Sequence, residues 1–127
     1  MVSPIPKKYL TLEQANRILP RVEKLLLKMR KMDKSLNTLS AIEVEYEDSY
    51  EALVYDVQYD KKFHQLSHVF FQAFTQLMEL GAVLKSPEEG LVDFYSLHEG
   101  KEIFLCWQLG ELSITHWHGI EDGFEGR

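Results

Sequence analysis

Apolar residues recur at Ala15, Ile18, Val22, Leu25, Met29, Met32, Leu36 and Leu39. The steps alternate between three and four, which is the spacing of a helical heptad seam. Leu12, Leu19 and Leu26 form a second apolar column that stops at Asp33. The first half of this helix should therefore be buried on a wider arc than the second. Thr11 followed by Gln14 is a capping-box pattern that predicts the start. Pro20 lacks a backbone donor and predicts a kink near Asn16, or a split there. Residues 40–48 carry Glu43, Glu45, Glu47 and Asp48 and predict a turn. Ile42, Val44 and Tyr46 alternate with those acids, so a short strand stays open as an alternative. A second long helix is predicted from about Asp48 to Leu80, with a seam at Phe63, Leu66, Phe70, Ala73, Leu77 and Leu80, and Gly81 just past its end. Tyr50 to Tyr59 is rich in β-branched and aromatic residues, which weakens the helical pattern there.

The period then changes. From Gly90 onward, short apolar runs are separated by Glu99-Gly100 and Gly110-Glu111, the pattern of an antiparallel meander. Ala82 to Lys85 offers a further strand. A two-residue turn at Glu99-Gly100 sets Asp93 opposite Cys106 and Tyr95 opposite Phe104. A two-residue turn at Gly110-Glu111 sets Cys106 opposite Thr115 and Phe104 opposite Trp117. Alternation then gives one face with Val92, Phe94, Ser96, Ile103, Leu105, Trp107, Ile114, His116 and His118, to be packed on the helices. The other carries the rows Asp93–Cys106–Thr115 and Tyr95–Phe104–Trp117, too aromatic for bare solvent and too polar for a core. Such a surface suits a subunit interface or a small ligand. A bulge in either hairpin reverses this sorting.

The expected architecture is α+β in a single domain: a long antiparallel helical hairpin over 11–81, then a three- or four-stranded antiparallel meander and C-terminal turn over 82–127. Helices of this length run roughly 45–50 Å, whereas such strands span only about 20 Å. The sheet cannot cover the hairpin. A second copy of the chain is the simplest cover, so a homo-oligomer formed through the helices is expected.

Composition removes several function classes. The chain has 127 residues, 45% of them hydrophobic, enough for a packed core. A net charge of -6 argues against nucleic acid. No apolar run is long enough to span a bilayer. Lys7 and Lys8 precede no apolar segment, so no signal peptide is expected. One cysteine excludes an internal disulfide and fits the cytoplasm.

The candidate chemistry lies in the last third. His116 and His118 flank Trp117 and share a strand face, so both imidazoles suit one divalent metal, with Asp93, Glu121 or Asp122 as third ligand. The plainer reading is two polar residues at a sheet end. Cys106 invites a Cys–His nucleophile, but the predicted sorting points it away from both histidines. Its neighbours Leu105 and Trp107 favour a buried, inert thiol. Asp93, between Val92 and Phe94, needs a polar partner, a backbone amide or Arg127. It serves either as a general base or as a structural acceptor. Asp60, His64 and His68 share a helix face but lack the glutamate of a zinc-protease helix. A solvated or interface stripe is the simpler account. No cofactor loop is present.

The blocks GLVDF at Gly90–Phe94, LCWQLGE at Leu105–Glu111, Trp117-His118 and DGFEGR at Asp122–Arg127 resemble the family catalogued as domain of unknown function 2203. Leu10 to Asn16 with Leu19-Pro20 resembles that family's N-terminal helix motif. The family has no established activity. The resemblance raises Asp93, Trp117, His118, Gly123 and Arg127 as site candidates. Members of the family it resembles usually carry Lys-Asp where this chain has Lys85-Ser86, so any site using that acid is altered here. Three functions follow as expectations. The first is a homo-oligomeric structural or interaction module, not an enzyme. The second is a metal-binding protein or metal-dependent hydrolase on His116 and His118. The third is a small-ligand binder on Tyr95, Phe104 and Trp117, near Asp93 and Arg127.

Overall fold

A computed structural model describes residues 7–41, 45 and 47–122. The strand alternative at Ile42, Val44 and Tyr46 lies outside these residues, as do Gly123 and Arg127. The described chain is a helical hairpin, α1 (Leu12–Ser40) and α2 (Ser49–Glu79), followed by a four-stranded antiparallel sheet. Its strands, β1 (Ala82–Ser86), β2 (Leu91–His98), β3 (Lys101–Gln108) and β4 (His116–Gly119), lie side by side in chain order. No described helix is long and apolar enough to cross a membrane.

The capping box forms as predicted. Gln14 N–H donates to Thr11 Oγ1 at 3.1 Å, and Thr11 N–H donates to Gln14 Oε1 at 2.9 Å. Asp48 caps α2 by accepting from Glu51 N–H at 2.8 Å. Gly81, at φ +99°, takes the left-handed turn that ends α2 and starts β1. Pro20 does not split α1, which runs unbroken from Leu12 to Ser40. Its ring sits on the exposed side of the helix. The missing donor therefore leaves only the Asn16 carbonyl without its usual helical bond, at a place where the core is not disturbed.

The face of α1 that enters the core is Ala15, Leu19, Val22, Leu26 and Met29. It runs between the two predicted columns. Ile18 and Leu25 pack at its margin, and Leu12 is exposed. From α2 only Ala73 and Leu77 are fully buried. These residues meet Val92, Phe94, Ile103, Leu105, Trp107 and Ile114 from one face of the sheet. That face is the one alternation assigned to the core, apart from the two histidines.

The β2–β3 hairpin follows the predicted register, with Asp93 opposite Cys106 and Tyr95 opposite Phe104. Glu99 and Gly100 both have positive φ, 52° and 81°, as a two-residue type I′ turn requires. The β3–β4 register differs from the prediction. Cys106 faces His116, Leu105 faces Trp117, and Phe104 faces His118. Residues 109–115 form a wide loop containing an odd number of residues, which moves every β4 side chain to the opposite face.

Two demands shape this loop, one local and one from the far end of the chain. The buried Trp107 indole N–H donates to the Glu111 carbonyl at 3.0 Å, since a buried tryptophan needs an acceptor. Ile114 enters the core, and its N–H donates to Asn16 Oδ1 on α1 at 2.8 Å. Leu112 is left fully exposed.

Candidate metal centre

The register change brings together residues that strict alternation held apart. Asp93 on β2, Cys106 on β3 and His118 on β4 all project from the sheet face opposite the helices. Their relative exposures are 3%, 1% and 3%. One carboxylate oxygen, the sulfur and one imidazole nitrogen lie within 4.8 Å of one another. The predicted separation of Cys106 from His118 is thus overturned.

The hydrogen bonding of His118 defines its tautomer. Nδ1 lies 2.9 Å from the Gly119 carbonyl oxygen. A carbonyl oxygen only accepts, so Nδ1 carries the proton. Nε2 then faces Asp93 Oδ2 at 3.2 Å. Two electron-rich atoms at that distance need a proton or a cation between them. The Phe104 ring packs 5.5 Å from the imidazole and holds it in place.

A cleft of about 210 Å³ opens over the cluster. Leu91, Phe104 and Ile120 supply apolar walls, and Lys85 and Asp122 supply charge. Asp122 is held by the turn after β4, where its N–H donates to the Gly119 carbonyl at 3.1 Å.

The other predicted site residues scatter. His116 opposes Cys106 in register but is exposed at the sheet end. Its Nδ1 lies 2.9 Å from Thr115 Oγ1 and 3.8 Å from a Glu111 carboxylate oxygen. Glu121 is exposed and does not line the cleft. Tyr95 and Phe104 pack with ring centroids 4.6 Å apart, as the pairing predicts. Trp117 does not join that row, because the register change turns it to the other face, where it lies 5.4 Å from the His98 ring. The three-membered aromatic row is therefore not formed. Asp60, His64 and His68 are all exposed on α2. Sequence reasoning placed Cys106 opposite Asp93 but held both apart from His118. The warning was available: strict alternation put two histidines on an otherwise apolar face.

A polar strap lies away from the cleft. Leu10 N–H donates to the Tyr95 carbonyl at 2.8 Å, which ties the arm before α1 to β2. Lys7 bridges Glu102 at 3.2 Å, and the Tyr9 phenol donates to the same carboxylate. The hydrogen bond from Tyr9, then that from Lys7, holds the Glu102 carboxyl below its ordinary range. The hydrogen bond to Glu102 raises both Lys7 and Tyr9.

A family model described as an uncharacterized conserved protein (DUF2203) matches residues 8–127. No curated protein and no solved structure matches the chain. The match runs through both helices, all four strands and each residue of the Asp93–Cys106–His118 cluster, and the chain belongs to the DUF2203 family.

Proposed function

We propose that the protein binds a divalent transition metal through Asp93, Cys106 and His118. The observation that carries this reading is the meeting of three different donor types within 4.8 Å, all buried. For a tetrahedral ion with bonds of about 2.0–2.1 Å, two ligand atoms stand roughly 3.3 Å apart. The Nε2–Oδ2 separation of 3.2 Å fits that edge. Locking of Nδ1 to a backbone carbonyl is the outer-shell arrangement that presents Nε2 as a ligand. A mixed set of sulfur, nitrogen and oxygen donors suits zinc, with cobalt as a spectroscopic substitute. Three protein donors beneath a cleft leave a fourth position for solvent, the arrangement used in hydrolytic sites.

Metal analysis of the purified protein and a cobalt titration test the reading. We expect about one equivalent of bound metal and a thiolate-to-cobalt absorption band that Cys106→Ser abolishes. A protein that retains no metal, with no thermal shift on adding zinc or cobalt, overturns it. The cluster is then a buried histidine–aspartate pair beside a thiol.

The helices support a second, compatible reading, a cytoplasmic homo-oligomer assembled through the hairpin. Tyr50, Leu53 and Val57 on α2 are 76%, 61% and 60% exposed. No described residue of α1 beyond Met29, and none of α2 before Ala73, is fully buried. Light scattering on the eluted protein decides this; a stable monomer at micromolar concentration removes it.

A further inference from the structure

We infer that the cleft over the Asp93–Cys106–His118 cluster takes a small monoanionic oxyanion of carboxylate type, with Lys85 as its charge partner. This rests on the metal reading and names the ligand of the same site.

Lys85 occupies an irregular place in the sheet. Leu84 pairs with Val92 and Ser86 with Leu91, so the register shift leaves Lys85 as the extra residue. Bulges of this kind re-aim side chains beside functional sites. Its side chain crosses β2, and the ammonium rests 4.5 Å from the centre of the Phe104 ring on β3. The stem therefore lies along the mouth of the cleft, and the charge is held at its wall. Lys85 makes no ion pair with a described residue.

Leu91, Phe104 and Ile120 make part of the lining apolar. A charge pair formed there is less screened than one in open water. An anion that gives one oxygen to the open metal position can present a second to Lys85, and a carboxylate has that geometry. The volume of about 210 Å³ admits only a few heavy atoms beyond the anionic head. Asp122 lines the same cleft and repels a second negative charge. Carboxylates and bicarbonate are therefore favoured over sulfate and the dianion of phosphate.

The experiment uses the full chain loaded with cobalt. The thiolate-to-cobalt band, recorded before any anion is added, reports the metal site alone. Acetate, bicarbonate, phosphate and sulfate are then titrated while the visible cobalt bands are followed. We expect a saturable change with acetate and bicarbonate and weaker binding of the two dianions. Lys85→Met keeps the stem and should weaken acetate by about tenfold or more, the scale of one charge-assisted hydrogen bond. It should leave the anion-free spectrum unchanged, and Lys85→Arg should restore most of the affinity. Asp122→Asn should narrow the gap between monoanions and dianions. An intact cobalt band that no anion perturbs overturns the inference, as does equal acetate affinity in Lys85→Met. Absence of the band in the unaltered chain removes the metal reading, and this one with it.

Discussion

The two ends of the helical hairpin are built differently. At the sheet end, Ala15, Val22, Leu26 and Met29 of α1 and Leu77 of α2 are wholly enclosed, because each helix has both the other helix and the sheet against it. At the far end the same heptad spacing continues through Met32, Leu36 and Leu39, yet these residues are only half-buried. Two helices cover one stripe of each other and no more; a closed core needs a third layer. The heptad seam is continuous along α1, although the second column of Leu12, Leu19 and Leu26 stops at Asp33. The number of neighbours falls where that column ends.

Substitutions along α1 test this contrast directly. Leu26→Ala should cost about 2–5 kcal/mol in urea unfolding, the range for emptying a filled core site. Leu36→Ala should cost only about 1 kcal/mol, in keeping with its partial burial. If Leu36→Ala proves as costly as Leu26→Ala, and the cost falls on dilution, the far end is covered by a second copy.

A polar link at the sheet end gives the next effect. Asn16→Ala removes the acceptor of the Ile114 N–H. It should destabilise by about 1–3 kcal/mol, because that donor sits at the edge of the core. Amide hydrogen exchange at Ile114 should rise with it. If exchange is unchanged, the 109–115 loop is held by Trp107 alone. The cap of α1 contributes less. Thr11→Ala should cost ~1 kcal/mol, read as a shift in denaturation midpoint without a change of slope.

The smallest effect belongs to the exposed strap. The Glu102 carboxyl lies below its reference value of 4.5 in the folded chain. Its contribution is therefore present above 4.5 and is lost as pH falls through the lower folded value. Tyr9 and Lys7 are raised above 10.0 and 10.5. Their contributions are present below those values and are lost as pH rises through the raised ones. Glu102→Gln should flatten both the acid and the alkaline edges of the stability curve. If only the acid edge changes, Tyr9 and Lys7 draw their shifts from elsewhere.

Much of the fold was legible because its determinants are local. Thr11 and Gln14 cap each other within one turn of helix, and Glu99-Gly100 is a two-residue turn whose register follows from backbone geometry alone. The candidate site was legible only in part. Asp93 and Cys106 sit opposite each other because that hairpin was read correctly. His118 joined them through a loop whose length no local pattern encodes. Its shape depends on the Trp107 indole and on Asn16, a residue near the other end of the chain.

Element types, their order and the first hairpin register thus reside in the chain itself, since spacing, caps and tight turns act over a few residues. The face presented by β4, and with it the meeting of a carboxylate, a thiol and an imidazole, arose from folding as a whole. A strand has period two, so one extra residue in the preceding loop exchanges its faces. The local bond from Trp107 to Glu111 helps to shape that loop, but Ile114 is seated by core packing and by its bond to Asn16, both made at a distance.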